Sequence, residues 1–181
     1  MNKAVFGILG VLVLGGLAFA GRNMFQGSTN RGSERLAEEV INDATGGQVD
    51  LSTNNGTIQV SNEDGSASAA YGSNVALPAN FPSNVPTPQT GNLISAYGGT
   101  DTGQASFALV YTVTGTDVLG TSQSYQDRLR AAGFTVQDSG SASGSGGTVS
   151  GFTATNGQTT INVAVTATGT TTNLSVTVTQ Q

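Results

Sequence analysis

Tight-turn dipeptides divide most of this sequence into short segments with alternating side chains, and they restrict the fold more than any other feature. Asn55-Gly56, Asp64-Gly65 and Asn156-Gly157 each stand between two such segments. Asn-Gly and Asp-Gly pairs favour two-residue hairpins, because both central residues of a type I′ turn need a positive φ. The pattern therefore predicts a protein built mainly of antiparallel strands joined by hairpins.

The first predicted structural unit is a helix followed by a β-meander, over residues 33–71. Ser33 is placed as an N-cap residue, and Gly46 and Gly47 end the helix after Ala44. The apolar residues on one face of this helix are Leu36, Val40, Ile41 and Ala44. A helix of about twelve residues is marginal alone, so this face is expected to cover the meander.

A second unit is predicted after a proline-containing strap. All four prolines lie within the strap, residues 72–90, where Leu77, Phe81 and Val85 are spaced four apart and are expected to pin it to the next domain. Residues 91–181 are predicted to form a ββαβββ antiparallel sheet with one covering helix, which makes the fold class α+β. The tail 139–147 is predicted to be a flexible loop, since it has no hydrophobic residue to anchor it.

The covering helix is expected to start at the cap residue Thr116 and to end at Gly133. The residues predicted to face the sheet are Val118, Leu119, Ser122, Tyr125, Leu129 and Ala132. Phe134 is expected to pack back against the helix as the next strand begins.

The N-terminal sequence is typical of a leader segment that directs a protein to or across a membrane. Residues 1–20 combine Lys3 with an apolar run over residues 4–20 that ends in Ala18-Phe19-Ala20. This run is either a membrane anchor, which leaves the C-terminal part outside the cytoplasm, or a signal peptide cleaved after Ala20, which leaves the protein secreted. Residues 21–32 are polar and are assigned to a spacer.

The composition excludes several classes of chemistry. The sequence has no Cys and no His, and its one Lys lies in the leader, so the common catalytic triads, thiolate sites and Schiff bases cannot be built. Only 9% of the residues are charged, with 11 acids against 6 bases, and none between residues 36 and 127 is basic. A nucleic-acid-binding surface made of clustered basic residues is therefore not expected.

The order of these parts resembles a group of uncharacterised bacterial proteins that are anchored at the outer face of the membrane. The resemblance rests on the leader and on the segments ERLAEEVINDATGG, DLSTNNGTIQV and LPANFPSNVP. It also rests on a YxxxLxxxGF junction at Tyr125, Leu129, Gly133 and Phe134. It implies an extracytoplasmic domain of unknown function and brings no catalytic residues with it.

Three candidate sites each have a plainer interpretation. Asp101-Thr102-Gly103 and Asp138-Ser139-Gly140 match the triplets of aspartic proteases, but two ordinary turns explain them better. Asn62, Glu63 and Asp64 offer oxygen ligands to calcium, yet too few for a specific site. Arg128 and Arg130 either hold an anion or form a solvated helix face paired with Asp127 and Asp138.

The sequence thus favours a membrane-tethered extracytoplasmic module that binds an unknown protein or envelope polymer. It predicts no enzyme activity and no catalytic, cofactor-binding or metal-binding residue. The alternative is a self-assembling structural surface subunit, a homo-oligomer joined through strand edges. That alternative depends on the final strands, 161–167 and 172–178, which are Thr/Val-rich and lack the Lys or Pro that commonly protects an edge.

Overall fold

A computed structural model describes residues 49–54, 56–62, 65–101, 103–145 and 147–181. The predicted leader, the spacer and the helix at 33–44 lie outside the described residues. The described part contains nine strands and one helix: β1 Val49–Asn54, β2 Thr57–Asn62, β3 Ala67–Gly72, β4 Asn92–Asp101, β5 Gln104–Thr114, α1 Val118–Ala131, β6 Thr135–Gly144, β7 Gly147–Thr155, β8 Thr159–Thr168 and β9 Thr171–Gln180.

The nine strands form one sheet in the order β1-β2-β3-β4-β5-β9-β8-β7-β6, and every neighbouring pair is antiparallel. The β-rich, antiparallel character with one covering helix is confirmed. The predicted ββαβββ topology of residues 91–181 is wrong, because four strands follow α1. The order from β4 onward is ββαββββ. The meander β1–β3 also continues the same sheet through β3 and β4, so the described part is more β-rich than the predicted α+β arrangement.

The predicted hairpins lie where the turn dipeptides stand, but only β1 and β2 are joined by two residues, whereas three residues separate β7 from β8 and four separate β2 from β3. Thr155 pairs with Thr160 across the Asn156-Gly157 turn, in which Gly157 has a φ of 90°. The Asn156 side-chain oxygen accepts hydrogen bonds from the backbone N–H groups of Gln158 and Thr159, at 3.2 and 2.9 Å. Local side-chain chemistry therefore fixes this turn, which is why it was readable from the sequence.

The last two strands of the chain are central, which corrects the prediction that they form edges. β9 lies between β5 and β8, and β8 lies between β9 and β7. The edges of the described sheet are β1 and β6. The residue pattern of one strand gives no information on its place in the sheet. The uncharged Thr/Val alternation of β8 and β9 is therefore explained by their central positions and not by an exposed edge.

Helix α1 packs on β6–β9 and defines the helix side of the sheet. Its N-cap is Asp117, one residue later than predicted, because the Asp117 carboxylate accepts a hydrogen bond from the Gly120 N–H at 2.8 Å. The side chains buried under the helix are Val118, Ser122, Tyr125, Gln126 and Leu129. Leu119 and Ala132, predicted to face inward, are exposed, and Leu119 is 54% exposed.

The helix ends as predicted. Gly133 has a φ of 88°, and the Phe134 N–H donates to the Leu129 carbonyl at 2.9 Å. This pairing closes the last turn of the helix and brings Phe134, which is buried, against the core.

The predicted loop at 139–147 is largely strand. β6 continues to Gly144 and pairs with β7 through Ser141, Ala142 and Ser143. A bulge between Gln137 and Gly140 interrupts the pairing, and Asp138 adopts a φ of 48° there. Backbone pairing with β7 holds this segment in place, so the absence of hydrophobic residues did not prevent strand formation.

The strap lies across the helix side of β4 and β5. The Phe81 ring packs edge-on against Phe107 with 5.5 Å between ring centroids, and Val85 is buried in the core. The Tyr125 hydroxyl donates to the Pro86 carbonyl at 3.0 Å, which joins the strap to α1. Two of the three predicted anchors therefore pin the strap, whereas Leu77 is 41% exposed.

The buried side of the sheet changes between its two halves. In β5–β9 the buried side chains, such as Leu109 and Val176, point to the helix side. The register from Leu109 through Ala96 places Ala70 of β3 on that same side, so Ala69 and its partner Val60 point to the other side. Both of these residues are only 5% exposed.

Raising the pH above about 10, the ordinary pKa of tyrosine, is expected to destabilise the protein steeply. Burial raises the pKa of the Tyr111 hydroxyl to about 12 and raises the pKa of Tyr125 further. The folded state therefore keeps protons that the unfolded chain loses, so stability is fully present below pH 10 and falls as the pH rises. Thermal unfolding of the wild type and of Tyr111→Phe/Tyr125→Phe across this range checks the effect. An equally steep fall in the double variant would contradict it.

Candidate binding surfaces

A row of five hydroxyl side chains crosses the side of the sheet opposite α1. Register pairs each residue with the next one in the row: Thr135 of β6, Thr155 of β7, Thr160 of β8, Thr179 of β9 and Ser106 of β5. The five side chains are exposed or half-buried. Because five adjacent strands are separated by four inter-strand spacings, the row is about 19 Å long. This is the length of several sugar units.

A second row lies beside the first and is also polar. Thr153, Asn162 and Thr177 are paired in register across β7, β8 and β9. The Thr153 hydroxyl lies 3.0 Å from the Asn162 side-chain oxygen and donates to it. We call these two rows together the hydroxyl face.

The alternation of the central strands produces this face. In β9, Val176 and Val178 point into the core while Thr177 and Thr179 point away from it. β-branched residues suit both sides of a pleated sheet, so Thr supplies polarity without losing strand propensity. Strands β5, β7, β8 and β9 contain no charged residue, and the face is therefore polar and uncharged along all four.

A shallow cleft of about 280 Å³ lies on the helix side of the meander, beneath residues 76–79 of the strap. Ser52, Gln59, Ser61 and Ser68 supply its polar groups, and Leu77 and Pro78 form part of its apolar wall. A smaller cavity of about 80 Å³ lies beyond Pro78, beside Asn80 and Thr100. Among the described residues, neither lining includes a carboxylate, so the described groups in both offer hydrogen bonding by uncharged atoms.

The two protease-like triplets are far apart. Asp101 ends β4 and Asp138 lies in the bulge of β6, with four strands between them. Five steps of strand spacing separate their backbones by roughly 24 Å, so the two triplets do not lie together as the paired site of an aspartic protease requires. Thr102 lies outside the described residues.

The Asn62 side chain forms hydrogen bonds within the turn between β2 and β3. Its side-chain oxygen accepts a hydrogen bond from the Ala67 N–H at 2.7 Å, and its side-chain nitrogen donates to the Ser66 hydroxyl at 2.8 Å. Glu63 and Asp64 lie outside the described residues. Within the described part, no group of three or more acidic side chains is placed to hold a metal ion.

The two arginines of α1 have different partners. Arg130 forms an ion pair with Asp127 at 2.8 Å and also donates to the Gln126 side-chain oxygen. Arg128 instead donates through Nε to the Thr87 carbonyl at 3.0 Å, so it holds the strap. Only Arg130 thus matches the paired, solvated helix face that the sequence favoured.

Comparison with known proteins adds no further assignment. No family model matches the chain, and a search of curated proteins finds no significant match. In the described part of the chain, no helix has the length and apolar character needed to cross a membrane.

Sequence reasoning missed the hydroxyl face, although part of its signal was present. The alternation of Thr with Val and Leu in residues 171–179 indicates a strand with one polar side. The alignment of hydroxyls across five strands depends on register and strand order, and these are set by long-range pairing. A single strand therefore shows a polar side but does not show the continuous row.

Proposed function

We propose that this protein is a membrane-tethered extracytoplasmic binding module whose hydroxyl face binds an uncharged glycan polymer of the cell envelope. The observation that carries the proposal is the five-strand row of hydroxyls. Each hydroxyl donates and accepts hydrogen bonds, as sugar hydroxyls do, and the Thr methyl groups contact the apolar faces of sugar rings. The lack of charge on β5, β7, β8 and β9 favours a neutral polymer over an anionic one.

Flatness favours an extended ligand over a small one. Small-molecule sites are concave pockets of about 300 Å³ or more, whereas the hydroxyl face is the side of an open sheet. A polymer chain lying along the row makes many weak contacts at once. The expected leader at residues 4–20 would keep such a module next to the envelope, whether it acts as an anchor or directs export.

Removing three hydroxyls from the row is expected to weaken binding by roughly tenfold or more, because each lost hydrogen bond contributes about 0.5–1.5 kcal/mol. The test variant is Thr155→Val/Thr160→Val/Thr179→Val, which keeps side-chain shape and β propensity. The measurement is co-sedimentation of the full-length chain, in mild detergent, with the uncharged polymers cellulose and chitin, and with purified peptidoglycan, whose peptides carry carboxylates, as the charged comparison. Wild-type protein is expected to sediment with at least one of the two uncharged polymers.

The matched control is Thr90→Val/Thr116→Val/Thr148→Val, which removes three hydroxyls from positions outside the hydroxyl face. It is expected to bind like the wild type. Equal binding by both triple variants would show that the hydroxyl face is not the site. Failure of the wild type to sediment with cellulose or chitin, or sedimentation with peptidoglycan alone, would overturn the proposed ligand class.

Self-assembly is the second candidate function, and the outer edge of β6 favours it. β6 pairs with β7 along one edge, and no other described strand pairs with its remaining edge. The strand contains no Lys, Arg or Pro, although the bulge at Asp138 interrupts its regularity. Sedimentation velocity over a concentration series separates the two candidate functions. Self-association of the wild type that is reduced in Ala142→Lys favours self-assembly. A protein that stays monomeric at all concentrations favours the binding module.

A further inference from the structure

The second row of the hydroxyl face continues beyond β9 and leads to a tyrosine. Thr177 of β9 pairs in register with Ala108 of β5, and Ala108 pairs with Tyr97 of β4. Thr153, Asn162, Thr177, Ala108 and Tyr97 therefore follow one line across five strands, on the side of the sheet opposite α1. Because Ala108 has a short side chain, it places little bulk between the threonine and the tyrosine.

Tyr97 is surrounded by small residues on this side of the sheet. Ser95 and Gly99 lie two positions before and after it on β4, and Ala69 and Ala108 are its partners on the two neighbouring strands. Ala69 is 5% exposed and Ser95 is 3% exposed, whereas Tyr97 is half-buried. A tyrosine among such small neighbours lies over them. Its ring thus contributes to the burial of Ala69 and keeps part of its own surface at the exterior.

The next alanine of β3 on this side has a polar neighbour. Ala67 is 1% exposed, and its N–H donates to the Asn62 side-chain oxygen at 2.7 Å. Ala67 pairs with Gly99, which continues the first row of the hydroxyl face beyond Ser106 without a side chain. Of the two rows, only the second therefore reaches an aromatic residue on β4.

The distribution of aromatic residues singles out the same position. The aromatic residues that the described strands place on the helix side are Phe107, Tyr111 and Phe152, and all three belong to the core. On the opposite side the described strands carry Tyr97 and Tyr71. Tyr71 lies on β3, one strand farther from the hydroxyl face, so Tyr97 is the aromatic residue next to this face.

We propose that Tyr97 is the aromatic platform of the hydroxyl face, on which one sugar ring of the bound polymer stacks. This inference rests on the proposed function, because it names a further contact for the same ligand. One inter-strand spacing of about 4.8 Å is close to the length of one sugar unit, so a polymer along the row places about one ring over each strand. The hydroxyl groups of the row bind the polar edges of the sugars, and the tyrosine ring contacts an apolar face.

Stacking narrows the class of ligand. A sugar ring packs flat on an aromatic ring only through a face that carries C–H groups and no hydroxyl. The glucose units of cellulose and the N-acetylglucosamine units of chitin have such faces, since their ring substituents are equatorial. The platform therefore favours extended, uncharged polymers built from units of this kind.

Two substitutions at this position separate the ring from its bulk. Tyr97→Leu keeps an apolar side chain beside Ala69 but removes the ring, and Tyr97→Phe keeps the ring. The full-length proteins, in mild detergent, are sedimented with cellulose and chitin. For the polymer that binds the wild type, Tyr97→Leu is expected to bind roughly fivefold more weakly and Tyr97→Phe within about twofold of the wild type.

The outcomes distinguish the platform from the hydroxyl face itself. If Tyr97→Leu bound like the wild type, or if Tyr97→Phe lost as much affinity as Tyr97→Leu, the platform would be overturned. The hydroxyl face would then still stand, provided that the triple Thr→Val variant remained weakened. A wild type that bound neither polymer would overturn both proposals.

A second measurement reads the contact directly. The chain contains no Trp, so Tyr97→Trp introduces a single fluorophore at the platform. Soluble oligosaccharides of the same sugars, at concentrations that release the protein from the polymer, are expected to shift its emission. The control is Leu119→Trp, on the exposed side of α1, whose emission should not change. Unchanged emission from Tyr97→Trp under these conditions would overturn the proposal.

Discussion

Replacing Leu129 by alanine is expected to lower the free energy of unfolding by about 2–5 kcal/mol, the range for a buried leucine whose removal leaves a cavity. Leu129 is fully buried, and its carbonyl also accepts the Phe134 N–H that closes the end of α1. The total stability of a domain of this size is about 5–15 kcal/mol, so the loss removes a large share of it. Chemical denaturation followed by circular dichroism measures the change.

The matched control lies on the same helix. Leu119 is 54% exposed, so Leu119→Ala is expected to change stability by less than about 0.5 kcal/mol. A similar loss in both variants would mean that α1 is rotated relative to the sheet. The two leucines therefore test the position of the helix as well as the size of the core.

The second large effect is expected at Phe107, which joins the strap to the sheet. Phe107→Ala should cost about 3–5 kcal/mol, because the side chain is 2% exposed and supports the Phe81 ring. Loss of the ring should also loosen the strap, so amide exchange in residues 79–87 is expected to increase.

Phe107→Leu provides the comparison, since it keeps an apolar side chain under the strap. We expect it to retain most of the stability and most of the protection of residues 79–87. If Phe107→Ala destabilised the protein without changing exchange in the strap, the strap would be held by the buried Val85 and by the hydrogen bonds of Tyr125 and Arg128. These two side chains donate to the Pro86 and Thr87 carbonyls.

Local features of the fold were predictable because local chemistry determines them. Asn156 and Gly157 make their own turn, Gly133 ends α1, and the spacing of Tyr125 and Leu129 places both in the core. The N-cap was misplaced by one residue because Thr116 and Asp117 are both good cap residues, and only the hydrogen bond to Gly120 distinguishes them.

Features that depend on distant pairing were not predictable. The outer half of β6 has a sequence typical of a linker, yet β7 supplies its hydrogen bonds. The order of the strands determines that β9 is central and that the hydroxyls of Thr135 and Ser106 end one row. The buried side of the sheet changes between β4 and β3, and only the register shows this. The sequence of a single strand shows that its side chains alternate between two sides, but it does not show which side of the whole sheet the buried ones occupy.

The position of β9 has a consequence for when the protein can fold during its synthesis. β9 follows all the other described strands in the chain, yet it joins β1–β5 on one side to β6–β8 on the other. Its pairing with β5 closes a stretch of more than fifty residues between Thr114 and Thr171. Such non-local pairing is slow to form, so the described sheet cannot close until β9 has left the ribosome. Loss of β9 alone would leave two half-sheets with exposed inner edges.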